Sequence, residues 1–77
     1  MAIYKVRINN DSNTITYKTN STILATVEYQ PEIDKYIVST PAGLIEANTL
    51  EDADYVARIR ISDFLASFGV VPNFIAE

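Results

Sequence analysis

The side chains in this sequence best suited to chemistry are the carboxylates Glu28, Asp34 and Glu46, which lie on or beside β-patterned segments. Carboxylates brought together on a sheet can hold Mg²⁺, as they do in two-metal nucleases. Nothing in the spacing of these three fixes such a geometry, and acids on strand edges are commonly plain surface residues. We therefore expect no metal site here and interpret these acids as surface charge.

Catalysis by other side chains is also disfavoured by the composition. The chain has 77 residues and contains no histidine and no cysteine. Serine and threonine are plentiful, but no histidine base is available to activate them as nucleophiles. Gly43 and Gly69 are the only glycines, so there is no glycine-rich phosphate loop. Disulfides and zinc sites with Cys or His ligands are excluded as well. We expect a protein that is not an enzyme and that needs no cofactor.

The aromatic residues and the net charge bear on nucleic-acid binding. Tyr4, Tyr17, Tyr29 and Tyr36 lie on strand-patterned segments and could form a stacking platform for bases. The formal net charge is −4, however, and few basic residues accompany these tyrosines. We therefore favour cross-strand packing for the tyrosines and expect no direct nucleic-acid binding.

Residues Thr49 to Phe68 predict the one long helix of the chain. Thr49 and Asp52 match the capping box, in which the threonine hydroxyl accepts a bond from a backbone N–H of the first turn. Gly69 suits the left-handed position that ends many helices, and Pro72 prevents the helix from resuming. Apolar residues recur at three- and four-residue spacing and form one stripe: Leu50, Ala53, Ala57, Ile61, Phe64, Leu65 and Phe68.

Segments in which apolar and polar residues alternate predict strands before this helix. They cover residues 2–8, 14–19, 22–29, 36–40 and 44–47. The first two form an N-terminal hairpin within residues 2–19, and a turn at Asn20-Ser21 leads to the further strands of residues 22–47. In residues 22–29 we expect Ile23 to share a face with Ala25, and Leu24 to lie on the opposite face. The tail, residues 70–77, can add a short edge strand.

Runs of strands followed by a single helix indicate an α+β domain. We expect one domain with an antiparallel sheet of about four strands and the helix of residues 49–68 packed on one face.

The helix also has an apolar margin beside its main stripe, which includes Tyr55, Val56 and Ile59. This margin either packs against the rim of the sheet or contacts another subunit. A chain of this size without disulfides often gains stability by oligomerisation, so we expect a homo-oligomer and regard these residues as candidate oligomer contacts. No segment reaches transmembrane length and no signal peptide is visible, so we expect a cytoplasmic protein without membrane contact.

Residues 23–72 carry a set of short motifs in a recognisable order. ATVEY is followed by KYIVSTP, then by Gly43, then by TLEDA at the start of an alanine-spaced helix, and finally by Gly69-Val70-Val71-Pro72. In this the chain resembles the N-terminal domain of HicB-like antitoxins, a partial RNase H-like fold. It departs from that family in a shorter Pro-to-Gly loop, in Ala47 where a glycine is common, and in the extra hairpin of residues 2–19. We expect no DNA-binding segment after this domain and therefore no autorepressor role.

The resemblance implies a protein that binds and masks a small, basic, RNA-cleaving toxin, often as an oligomer. The acids concentrated in the middle of the chain either form a solvated face or dock on such a basic partner. For the partner contacts we select residues that cluster around one turn at the end of the sheet: Glu28, Tyr29, Glu32, Asp34 and Tyr36. Two other functions stay open, namely a small phage-type inhibitor such as an anti-CRISPR protein and a homo-oligomeric accessory protein.

Overall fold

A computed structural model describes residues 2–20 and 22–77 of the chain. Within these residues the fold is α+β, as predicted, with one helix and a six-stranded sheet. The strands are β1 (Ala2–Asp11), β2 (Thr14–Thr19), β3 (Thr22–Gln30), β4 (Lys35–Thr40), β5 (Gly43–Ala47) and β6 (Val70–Ala76), and the helix α1 spans Leu50–Ala66. Ser21, part of the predicted turn at Asn20-Ser21, lies outside the described residues.

The sheet is larger than predicted and is mixed rather than antiparallel. Its strand order is β5-β4-β3-β2-β1-β6. The first five strands pair antiparallel with their sequence neighbours, whereas β6 pairs parallel with β1. The predicted number of about four strands was therefore too low, whereas antiparallel pairing is confirmed for β1 to β5, and the edge strand expected in the tail is present as β6 but is parallel. The reason is that α1 carries the chain across the sheet from one edge to the other, so β6 re-enters in the direction of β1.

A β-bulge changes the predicted faces of β3. Tyr17 pairs with Ala25 and Lys18 pairs with Ile23, so Leu24 is an extra residue in the ladder. An extra residue inverts the alternation on one side of the bulge. As a result Leu24 is buried together with Ala25, while Ile23 is 60% exposed on the opposite face. The predicted placement of Ile23 and Leu24 was wrong for this reason.

The helix begins and ends as its sequence signals predict. Thr49 is the N-cap, and its hydroxyl oxygen accepts a hydrogen bond from the Asp52 backbone N–H at 3.0 Å. Gly69 adopts a φ of 72° just after the helix. The buried stripe is narrower than predicted and consists of Ala53, Ala57, Ile61 and Leu65. Leu50, Phe64 and Phe68 are exposed, because a single helix cannot cover a six-stranded sheet and its ends project past the covered area.

The core lies between α1 and one face of the sheet. The helix contacts β3, β4, β5 and β6 and meets the sheet through small alanine side chains, which allow a close approach. The largest fully buried side chains are Tyr17, Ile61, Val6, Val27 and Val38. Among the described residues, every polar or charged residue retains some solvent exposure. The opposite face of the sheet carries no helix.

Candidate protein-binding surface

Almost all of the acidic residues lie at one end of the molecule. β1, β3, β5 and β6 finish at this end, and β2, β4 and α1 begin there, as follows from the pairing directions. The chain has ten acidic residues, and all except Asp63 lie at or near this end. We call this set the acidic end: Asp11, Glu28, Glu32, Asp34, Glu46, Glu51, Asp52, Asp54 and Glu77.

The turn between β3 and β4 is an exposed part of the acidic end. The Ile33 backbone N–H donates to the Gln30 carbonyl at 3.3 Å, and Pro31 suits the second position of such a turn. Asp34 has a φ of 52°, a left-handed conformation that aspartate tolerates better than most residues. Glu32 and Ile33 are exposed at the tip. The turn therefore presents an acid and an apolar side chain to solvent.

Two tyrosines form the base of this turn. Tyr29 and Tyr36 are cross-strand partners, and their ring centroids lie 5.0 Å apart at an interplanar angle of 51°. The Tyr29 hydroxyl donates a hydrogen bond of 2.6 Å to Oδ1 of Asp34. This bond raises the pKa of Tyr29, because ionisation would remove the donor and place two negative charges together. The Tyr29 backbone N–H also donates to the Asn13 carbonyl at 3.2 Å, which ties the turn to the first hairpin.

The predicted contact residues are only partly brought together. Tyr29, Asp34 and Tyr36 form one contact cluster, and Glu32 lies beside them in the same turn. Glu28 points away from the two tyrosines, because successive residues of a strand alternate between faces. Its carboxylate accepts a hydrogen bond of 2.9 Å from the Gln30 amide.

The one lysine near this turn is already engaged by the chain. Lys35 begins β4, and its Nζ donates to Oδ1 of Asn48, two residues before the helix. This bond connects the β3–β4 turn to the segment that enters α1. Because the Asn48 amide is neutral, Lys35 keeps its positive charge in this bond and offsets one of the negative charges near the turn.

A groove at the acidic end was not predicted. It has a volume of about 550 Å³ and lies beside the first turns of α1. Its floor includes Ile8 and Ile15, and Leu50, Asp54 and Arg58 also line it. The groove exists because α1 crosses the sheet and leaves this corner of β1 and β2 uncovered. Ile8 and Ile15 are almost fully buried on the helix side of the sheet, and only the path of the helix determines that they lie at the edge of a groove.

A polar network closes the inner wall of this groove. The buried Tyr17 hydroxyl donates to Oδ1 of Asp54. Arg58 Nε donates to both oxygens of the same carboxylate at 3.1 Å, and the Arg58 guanidinium lies 5.3 Å from the ring centroid of Phe74. Burial is the main reason that the pKa of Tyr17 is raised, and its bond to Asp54 adds to this. The network holds α1 against β2 and β6.

The predicted oligomer contacts on α1 differ in exposure. Tyr55 is 64% exposed and Ile59 is 40% exposed, and they lie one turn apart on the outer side of the helix. Val56 is partly buried and packs against the core. Tyr55 and Ile59 therefore form a small exposed apolar pair, whereas Val56 helps to seal the helix on the sheet.

Across residues 2–20 and 22–77, the acids are too dispersed for any three of them to form a metal-binding group. Within the same residues, no helix has both the length and the apolar character needed to cross a membrane.

Comparison with known proteins returns no match, since no family model, no curated protein and no solved structure is similar to this chain at a significant level.

Proposed function

We propose that this chain is a non-catalytic protein-binding module that docks by its acidic end on a basic nucleic-acid enzyme and masks it, in the manner of an antitoxin. The observation that carries the proposal is the collection of all acidic residues except Asp63 at one end of the fold. A surface of one charge sign steers a partner of the opposite sign and fixes its orientation. The motif resemblance to HicB-like antitoxins agrees with this role.

The β3–β4 turn is the proposed centre of contact. It combines the exposed carboxylate of Glu32 with the tyrosine pair and with the apolar tip residue Ile33. Tyrosine side chains are enriched in binding hot spots, because they bury a large area and lose few rotamers. The turn is also held in shape by the Tyr29–Asp34 bond, so little ordering is required on binding.

The test is affinity capture of tagged chain from its native cells, followed by measurement of affinity and RNA cleavage with the captured partner. The variant Glu32→Lys/Asp34→Asn removes negative charge from the turn, and asparagine tolerates the left-handed conformation of residue 34. Asp63→Lys is the matched control, because Asp63 is the one acid outside the acidic end. We expect the turn variant to bind at least about tenfold more weakly and the control to bind as the wild type does.

The outcomes separate the candidate functions. A small basic ribonuclease whose cleavage is blocked by the wild-type chain supports the antitoxin-like role. A large nuclease complex would instead favour the inhibitor of anti-CRISPR type. An acidic partner, or equal binding by the turn variant, would refute docking through the acidic end. Recovery of the chain alone would favour the homo-oligomeric accessory protein, for which the exposed pair Tyr55 and Ile59 is the supporting observation.

A further inference from the structure

The face of the sheet opposite to α1 is uncovered and carries exposed apolar side chains. We call it the open face. Leu44 is 73% exposed there, and Ile3, Ile23 and Val71 are exposed as well. Sheets generally bury both faces or keep the outer one polar. The open face is mainly polar, but these exposed apolar side chains interrupt it, so its composition calls for an explanation.

Strand register arranges the open face into rows that run across the strands. The middle row, which we call the hydroxyl row, consists of cross-strand partners: Asn9, Thr16, Thr26, Ser39 and Leu44. The acidic row lies two residues further along the strands, towards the acidic end, and consists of Asp11, Thr14, Glu28, Ile37 and Glu46. The basic row lies two residues from the hydroxyl row in the opposite direction and consists of Ile75, Arg7, Lys18 and Ile23.

The charges of the open face nearly cancel, unlike those of the whole chain. Lys5, Arg7, Lys18 and Lys35 lie on this face with Asp11, Glu28 and Glu46, which leaves a formal charge of +1 on the face. The chain carries −4 in total, so the remaining surface carries −5. Asp54–Arg58 is the one ion pair within the described residues, and it lies on the helix side. Lys35, Glu28 and Arg7 make hydrogen bonds only with neutral groups of the chain, so the charges of the open face are not neutralised within one copy.

We propose that the open face docks a second copy of this chain about a two-fold axis that runs across the strands along the hydroxyl row. The acidic and basic rows lie about 7 Å to either side of this row, from a rise of about 3.4 Å per residue. A rotation of 180° about the axis therefore exchanges them. Asp11 and Arg7 belong to the same strand, so Asp11 of each copy lies directly over Arg7 of the other copy.

The second pair of charges meets under the same rotation. Glu28 of one copy lies over a position about 5 Å from Lys18 of the other, because β2 and β3 are neighbouring strands. Each residue of the hydroxyl row lies over the same residue of the second copy, so Leu44 of one copy faces Leu44 of the other. A basic protein gains no such match, because the basic row would repel it. A second copy is therefore the occupant that this face fits.

The size of the face sets the expected affinity. Six strands at about 4.8 Å spacing and about 20 Å of strand overlap give a projected area of about 580 Å² per copy. A standard stable interface buries about 800 Å² per partner. We therefore expect a dimer with a dissociation constant in the micromolar range, weakened by added salt because its contacts are largely charged.

Sedimentation of the full chain tests the charge pairing, at protein concentrations from about 10 µM to about 1 mM and at about 50 mM salt. We expect the wild type to dimerise, Lys18→Glu to be at least tenfold weaker, and Lys18→Glu/Glu28→Lys to regain the dimer. Restoration by the charge swap shows that position 18 of one copy lies near position 28 of the other. Arg60→Glu, on the exposed side of α1, is the matched control and should dimerise as the wild type does. Circular dichroism confirms that each variant is folded.

Single-cysteine crosslinking locates the axis, since the chain has no cysteine of its own. Because facing sheets lie about 10 Å apart, we expect a short bismaleimide reagent to join Ser39→Cys to itself and Leu44→Cys to itself between copies, and not to join Ser62→Cys on α1. A wild type that stays monomeric at the highest concentration would overturn the proposal. So would a dimer that Lys18→Glu leaves intact, or one that is lost with Ile59→Asp and crosslinked through position 62. These variants are separate from those at Glu32 and Asp34, so either proposal can fail alone.

Discussion

Replacement of Tyr17 by phenylalanine probes the contact that holds α1 on the sheet. Tyr17 lies in β2 and is fully buried, and its hydroxyl donates to the Asp54 carboxylate of α1. Asp54 in turn accepts two hydrogen bonds of 3.1 Å from Arg58 Nε. The substitution removes one oxygen atom and leaves the ring in place. It therefore tests the hydrogen bond with little change in packing.

The magnitude at neutral pH follows from the acceptor and its exposure. A hydrogen bond to a charged group contributes about 1.5–3 kcal/mol when its loss leaves the charge unsatisfied. The Asp54 side chain is 33% exposed and keeps its bonds to Arg58, so water can replace part of the lost contact. We expect Tyr17→Phe to lower the free energy of unfolding by about 1–2 kcal/mol at pH 7.

The same substitution should change the stability at high pH. Burial and the bond to Asp54 raise the pKa of Tyr17 in the folded protein above its ordinary value of about 10. The unfolded chain therefore loses this proton above about pH 10 while the folded chain keeps it. Unfolding is favoured by about 1.4 kcal/mol for each further pH unit, and this contribution is absent from Tyr17→Phe. The stabilities of the wild type and the variant should converge as the pH rises above about 10.

Urea denaturation followed by circular dichroism at pH 7, and at several values above about pH 10, measures both effects. Tyr55→Phe is the control, because Tyr55 is largely exposed and its ring is retained. That variant should match the wild type throughout. If Tyr17→Phe is as stable as the wild type at pH 7, or if the difference between them stays constant with pH, the Tyr17–Asp54 bond does not stabilise the fold as argued.

Two further substitutions test the helix and its seat on the sheet, both by urea denaturation. Thr49→Ala removes the acceptor for the Asp52 backbone N–H and should cost about 1 kcal/mol, whereas an unchanged midpoint would show that water caps the helix equally well. Ala57→Leu inserts three carbon atoms where α1 approaches the sheet and should cost about 2 kcal/mol, with exposed Ala66→Leu as its control. A stable Ala57→Leu variant would mean that the helix can move outward freely.

The helix and the hairpins were predictable because their signals are local. The Thr49 cap, the stripe through Ala53 and Ala57, and the end at Gly69 all act within a few residues of one another. The N-terminal hairpin was likewise indicated by alternation on both sides of a polar turn, and β1 and β2 pair as expected. The acidic turn after β3 was also found from sequence, since Tyr29, Asp34 and Tyr36 are close along the chain.

Features that depend on long-range pairing were not predictable. The parallel pairing of β6 with β1 joins the two ends of the chain, and nothing in the tail specifies its neighbour. The bulge at Leu24 depends on the register with β2 rather than on the β3 pattern itself. The separation of Glu28 from the tyrosine pair follows from the two faces of one strand.

The sequence by itself determined an acidic α+β chain with one capped helix and no cysteine or histidine, because composition and short-range periodicity suffice for that. Only the tertiary structure decided where the charges lie. Asp11 and Glu77 join the mid-chain acids at one end because the strands finish there. Arg7 and Lys18 share a row, parallel to the row of Asp11 and Glu28, because the register aligns them. The sequence determines where each charged residue lies along the chain, but strand order and register determine which residues are its neighbours across the sheet.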